Sequence, residues 1–60
     1  MATFYIYIDT SRDFRWRLKS VNGRIIADSG EGYETKQGAD SAIVWMKTYT
    51  KGADIVDSTD

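Results

Sequence analysis

Six consecutive residues, Phe14 to Lys19, alternate apolar and cationic without a break, and Asn22-Gly23 follows shortly after. A period of two sends Phe14, Trp16 and Leu18 to one side of a strand and Arg15, Arg17 and Lys19 to the other. Asn-Gly is the dipeptide best suited to the positive φ angles of a type I′ hairpin. The segment therefore reads as a strand with an apolar face, turning tightly into an antiparallel neighbour. A slip of one residue would turn the whole apolar set toward water, so the chain has little freedom in how it pairs.

The flanks agree with this reading. Thr3 to Ile8 alternates, with Phe4, Ile6 and Ile8 on one side and Tyr5 and Tyr7 on the other. Its aromatic and β-branched content suits a strand. A polar loop from Asp9 to Asp13 sets Ile8 opposite Phe14, Ile6 opposite Trp16 and Phe4 opposite Leu18. On the other side a third strand is expected over Arg24 to Ser29. A two-residue Asn22-Gly23 loop pairs Val21 with Arg24, Ser20 with Ile25, Lys19 with Ile26, Leu18 with Ala27 and Arg17 with Asp28. Both hairpins then turn one side inward: Phe4, Ile6, Ile8, Phe14, Trp16, Leu18, Ile25 and Ala27.

After Gly30-Glu31-Gly32-Tyr33 the period changes. Thr35 is the expected N-cap, and Tyr33 is placed to staple the helix start to the sheet. From Lys36 onward Ala39, Ala42, Ile43, Met46 and Tyr49 form one helical stripe, with Trp45 on its flank. Phe4, Phe14, Trp16, Trp45 and Tyr49 are all expected in the core. Lys47 and Lys51 lie near the helix C-terminus, where cations suit the dipole, and Gly52 is the expected C′ residue. Ala53 to Asp57 is long enough for one short strand. The expected fold is α+β, a βββαβ unit within a single domain of residues 1–60, its helix covering the Phe4/Trp16/Leu18 face.

Sixty residues without cysteine or histidine must stabilise this fold without disulfides and without the common zinc, haem or iron–sulfur ligands. A chain of this length buries only roughly 60% of the surface that it exposes when unfolded, so association with a second copy is the remaining aid. The tail points the same way. Asp54, Ile55, Val56 and Asp57 are too few and too acidic to stand alone, and persist as a strand only on a sheet edge. A single chain must return them through the brief Thr50-Lys51-Gly52 link, whereas two chains can exchange them.

Phe4-x-Ile6-Tyr7, Phe14-Arg15-Trp16-Arg17-Leu18-Lys19, Asn22-Gly23-x-Ile25-Ile26-Ala27 and Glu31-Gly32-Tyr33-x-Thr35-Lys36 occur in an order that resembles the YegP-like family of small proteins, from about Phe4 to Asp57. The resemblance implies either two tandem βββαβ units or, as here with one unit, a homodimer in which the last strand of each unit joins the other's sheet. The helix departs from the family pattern at Trp45 and Met46. The resemblance carries over no established biochemical activity.

Several function classes are disfavoured. Without His or Cys the commonest general base and the best nucleophile are missing, and Asp9, Asp13, Glu31, Glu34, Asp54, Asp57 and Asp60 lie in loops and at the tail, where nothing raises a carboxyl pKa for acid catalysis. An enzyme is not expected, nor any cofactor or metal. Gly30-Glu31-Gly32 lacks the spacing of a phosphate loop, and Glu31 and Glu34 would repel an anion. The net charge is −1, which offers no general attraction for nucleic acid or an anionic membrane. No apolar run approaches the roughly 20 residues of a membrane span, and Met1-Ala2-Thr3-Phe4 lacks signal-peptide character, so a cytoplasmic location is the expectation. The candidate binding face is the outer side of the sheet, with Tyr5, Tyr7, Arg15, Arg17 and Lys19, where aromatic and cationic residues interleave as on sheets that stack bases and hold phosphates. The leading expectation is a non-enzymatic homodimeric interaction module whose other protein partner the residues do not name. The alternative is weak single-strand nucleic-acid binding through that face.

Overall fold

The computed structural model describes residues 1–59. Three strands, β1 (Thr3–Ile8), β2 (Phe14–Lys19) and β3 (Ile25–Asp28), form an antiparallel sheet of order β1-β2-β3, followed by helix α1 (Lys36–Tyr49). The β1–β2 register is the one that the alternation dictates, with Ile8 against Phe14, Ile6 against Trp16 and Phe4 against Leu18. Trp16, Ala39 and Ile43 are the buried centre. Phe4, Ile6, Phe14, Ala27, Tyr33, Ala42 and Met46 pack around them, and the Phe4 ring meets Trp16 edge-on at 5.4 Å.

Both hairpins close in the same way. In the first, the Asp9 N–H donates to the Asp13 carbonyl and the Arg12 N–H to the Asp9 carbonyl. In the second, Ser20 N–H donates to Arg24 and Gly23 N–H to Ser20. Each is a three-residue loop whose last residue is left-handed, Arg12 at φ 68° and Gly23 at φ 84°, as a type I turn with a following bulge requires. This corrects the expected two-residue type I′ turn: Asn22 keeps a negative φ, and Gly23 alone is left-handed there.

The longer loop shifts the start of β3 by one residue, and a bulge restores the register. Lys19 faces Ile25 rather than Ile26, the pairing shifts between Leu18 and Lys19, and Leu18–Ala27 and Arg17–Asp28 then stand as expected. Ile25 consequently leaves the core, 55% exposed. Beyond β3 the chain stays beside β2. Ser29 N–H donates to Trp16, and Tyr33 and Phe14 exchange two backbone bonds of 2.8 Å. Gly32 presses so close to Asp13 that a Cβ there would lie 2.5 Å from the Asp13 Cβ.

Tyr33 thus pins the chain to β2 just before the helix. Thr35 caps α1, its Oγ1 accepting from the Gly38 N–H at 2.9 Å. The C-terminus differs from expectation. Thr50, not a left-handed Gly52, is the cap, its N–H and hydroxyl both donating to the Met46 carbonyl. Trp45 and Tyr49 are also outside the core, 59% and 65% exposed, with their rings tilted together at 5.3 Å. Their positions fall at the edge of the stripe centred on Ala39 and Ile43, where a three-stranded sheet is too narrow to cover them.

The tail forms no strand within the single chain. Residues 53–59 carry no regular secondary structure and are exposed, with Ile55 at 97% and Val56 at 83%. The described fold is three antiparallel strands and one helix, and the fifth element of the βββαβ unit finds no edge of its own sheet.

Candidate binding face

The alternation of β1 and β2 brings all five candidate residues to one face. Tyr7 lies opposite Arg15 and Tyr5 opposite Arg17, while Lys19 lies opposite Thr3. The cations do not rest on the rings directly across from them. They reach diagonally, the Arg17 guanidinium lying 4.2 Å from the centre of Tyr7 and the Lys19 ammonium 5.4 Å from that of Tyr5. Such diagonal neighbours are within reach of long side chains, and each contact joins a cation to the negative face of a ring.

Arg15 is held differently. Its Nε donates to the Asp9 Oδ2 at 2.5 Å. The other Asp9 oxygen accepts from the Ser11 and Asp13 N–H groups at 2.8 and 3.0 Å. The Arg15 bond, followed by the one from Asp13, holds the Asp9 carboxyl below the usual carboxylate range, and Asp9 in turn raises Arg15. Asp9 therefore organises the loop and the end of the cationic row at once. The residue pattern placed it only in a polar turn, although an Asp that starts a turn and bonds to backbone two residues on is the signal for this role. Asp28 stands opposite Arg17 on β3.

Each cation of the face is thus engaged inside the molecule, and the two rings carry cations over one face.

Elsewhere the chemistry is sparse. Among the described residues no group of three or more His, Cys, Asp or Glu could hold a metal ion, and no helix is long and apolar enough to cross a membrane. A shallow depression at the β2–β3 hairpin is lined by Ser20, Val21, Asn22, Arg24, Ile25 and Ile26. Burial raises the Tyr33 hydroxyl above its usual pKa, with the Glu31 carboxylate adding to the effect. Trp16 Nε1 is buried with no hydrogen-bond partner. The residues expected to form the dimer strand, Asp54, Ile55, Val56 and Asp57, lie away from the sheet.

Residues 9–57 match the family described as Domain of unknown function (DUF1508). A UPF0339 protein of Neisseria meningitidis is 47% identical over 47 residues, covering 78% of this chain and 82% of the relative. Another, from Agrobacterium fabrum, is 42% identical over 59 residues, covering 98% and 94%. The solution structure of a Haloferax volcanii protein superposes with a TM-score of 0.88 at 42% identity, covering 95% of both chains. That of an Agrobacterium tumefaciens protein superposes with a TM-score of 0.75 at 38% identity, covering 95% of this chain and 90% of that one.

Proposed function

This chain belongs to the YegP-like family, DUF1508 and UPF0339, and from that membership and its excess surface we propose that it works as a homodimeric interaction domain whose two copies exchange their C-terminal tails. The observation that carries the reading is an area. A compact monomer of 6.8 kDa exposes roughly 4,000 Å² on the usual scaling with mass. This chain exposes 5194 Å². The difference, on the order of 1,200 Å² per copy, is what each partner contributes to a large, obligate interface. The radius of gyration agrees, 13.0 Å against roughly 10 Å for a compact chain of this length.

The excess is apolar where it matters. Ile55 and Val56 stand in water on the tail, and Ile8, Trp45 and Tyr49 do so on the body. With only Trp16, Ala39 and Ile43 buried among the described residues, a single copy has little core to rely on, and a second copy is the supply of apolar surface that a cysteine-free chain can draw upon. Engagement of Arg15, Arg17 and Lys19 within the sheet gives the nucleic-acid alternative no support.

Multi-angle light scattering tests the proposal. A dimer mass at tens of micromolar, with a melting temperature that rises with protein concentration, is expected. A well-folded monomer at that concentration, with a concentration-independent melt, would refute it.

A further inference from the structure

We infer that Asn22 is a site of spontaneous deamidation, at which the second hairpin converts with time to an aspartyl or isoaspartyl form. Asn22 is the only asparagine of the chain and is followed by glycine. It lies at the exposed tip of the loop between β2 and β3, where local opening costs least. The nucleophile is the Gly23 backbone nitrogen. Glycine has no Cβ to crowd its approach, and the space around Gly23 is open, with nothing within 4 Å of where a Cβ would stand. The electrophile is the Asn22 side-chain carbonyl carbon. The Ser20 hydroxyl donates to the Asn22 Oδ1, which draws electron density from that carbon and supports the charge that develops on the oxygen during attack.

The step balances with water as its only net co-reactant. Hydroxide removes the Gly23 N–H proton, and the nitrogen attacks the Asn22 Cγ. The tetrahedral intermediate expels the side-chain nitrogen, which takes a proton from water and leaves as ammonia. A five-membered cyclic imide remains. Water then adds to one of its two carbonyls. Opening at Cγ restores the original backbone, with aspartate at position 22. Opening at the backbone carbonyl breaks its bond to the Gly23 nitrogen. The chain then runs through the former side chain and is one methylene longer. Nothing is oxidised or reduced.

The same loop sets a brake on the reaction. When it is closed, the Gly23 N–H donates to the Ser20 carbonyl at 2.9 Å and the Ser20 N–H to the Arg24 carbonyl at 2.8 Å. The proton that must leave is therefore engaged, and attack waits for its hydrogen bond to open. One net hydrogen bond corresponds to a population factor of about 2–12, which slows the reaction without preventing it. Gln37-Gly38 is the other side-chain amide that precedes glycine. It is held by the first turn of α1, where the Gly38 N–H donates to the Thr35 Oγ1 at 2.9 Å.

The two products differ in consequence. Either adds one negative charge to the net −1. Aspartate keeps the loop length, and its carboxylate takes over the Ser20 hydroxyl bond. Isoaspartate lengthens a loop whose three residues set the start of β3 and its bulge, so it loosens the hairpin and its register.

Incubation of the intact protein at mildly alkaline pH, natively and in guanidinium chloride, tests this. Trypsin then isolates the site in the peptide Ser20–Arg24. In the native protein that peptide is expected to exchange the mass of an amino group for that of a hydroxyl, and in denaturant to do so about 2–12-fold faster. A protease that cuts before aspartate and not before isoaspartate separates the two products. Asn22→Gln is expected to abolish the mass gain. In denaturant, where folding plays no part, Gly23→Ala is expected to slow it several-fold. A native Ser20–Arg24 peptide that keeps its mass, whether or not the unfolded chain converts, overturns the inference. So does a mass gain that survives Asn22→Gln. A native rate equal to that in denaturant overturns the role of the hairpin bond.

Discussion

Arg12 and Gly23 hold the same place in two loops of the same design, and only one of them is suited to it. Arg12 sits at φ 68° and Gly23 at φ 84°. A left-handed conformation costs an L-residue about 1–2 kcal/mol, while glycine's extra freedom in the unfolded chain costs about 0.5–1 kcal/mol. Arg12 is exposed, and its side chain makes no hydrogen bond or ion pair among the described residues, so little is lost with it. Arg12→Gly should therefore stabilise the protein by about 0.5–1 kcal/mol net. For a chain of this size that raises the melting temperature by about 4–8 °C. Arg12→Ala keeps the Cβ and hence the strain, and should melt within about 2 °C of the parent. Gly23→Ala, where a Cβ meets nothing within 4 Å, should show the reverse of the gain, about 0.5–1 kcal/mol lost through the backbone alone. Thermal melts by circular dichroism, at one fixed protein concentration, decide the matter. If Arg12→Gly is no more stable than Arg12→Ala, the shared loop design is not what sets the energy of these turns.

Trp16→Ala, at the buried centre, should cost about 3–5 kcal/mol and leave most of the chain unfolded, while Trp45→Ala should cost less than about 1 kcal/mol in urea melts. Gly32→Ala drives a Cβ onto Asp13 and should lose about 1–3 kcal/mol; pairing it with Asp13→Gly should recover part of that loss in the same assay. Asp9 has a folded pKa below its unfolded one, so its contribution is complete above the unfolded value, about 3.9, and fades as pH falls through the lower, folded value. Urea midpoints measured from pH 6 to pH 2 should therefore show Asp9→Asn less stable than the parent at the upper end and the two converging at the lower.

What the sequence determined by itself is local and periodic. The Phe14–Lys19 alternation placed β2, matched β1 to it residue by residue, and divided the inner face from the outer, because a period of two leaves no second register that buries the same side chains. Thr35 announced the helix start because an N-cap is a contact between residues three apart. Tertiary structure decided what depends on length and neighbours. Whether Asn22-Gly23 closes with two residues or three turned on Ser20 and Arg24 meeting across the hairpin, and the bulge at Ile26 then took Ile25 out of a core that its spacing had put it in. Tyr49 shares a helical stripe with Ile43, with Trp45 on its flank, but a stripe shows only which way a side chain points. A sheet three strands wide covers Ala39 and Ile43 and stops short of the flank. The cation–π contacts run diagonally because reach, not pairing, selects the ring. The tail likewise shows that composition alone does not make a strand: within the single chain Asp54 to Asp57 form none, because a segment becomes a strand only where an edge with free backbone groups receives it.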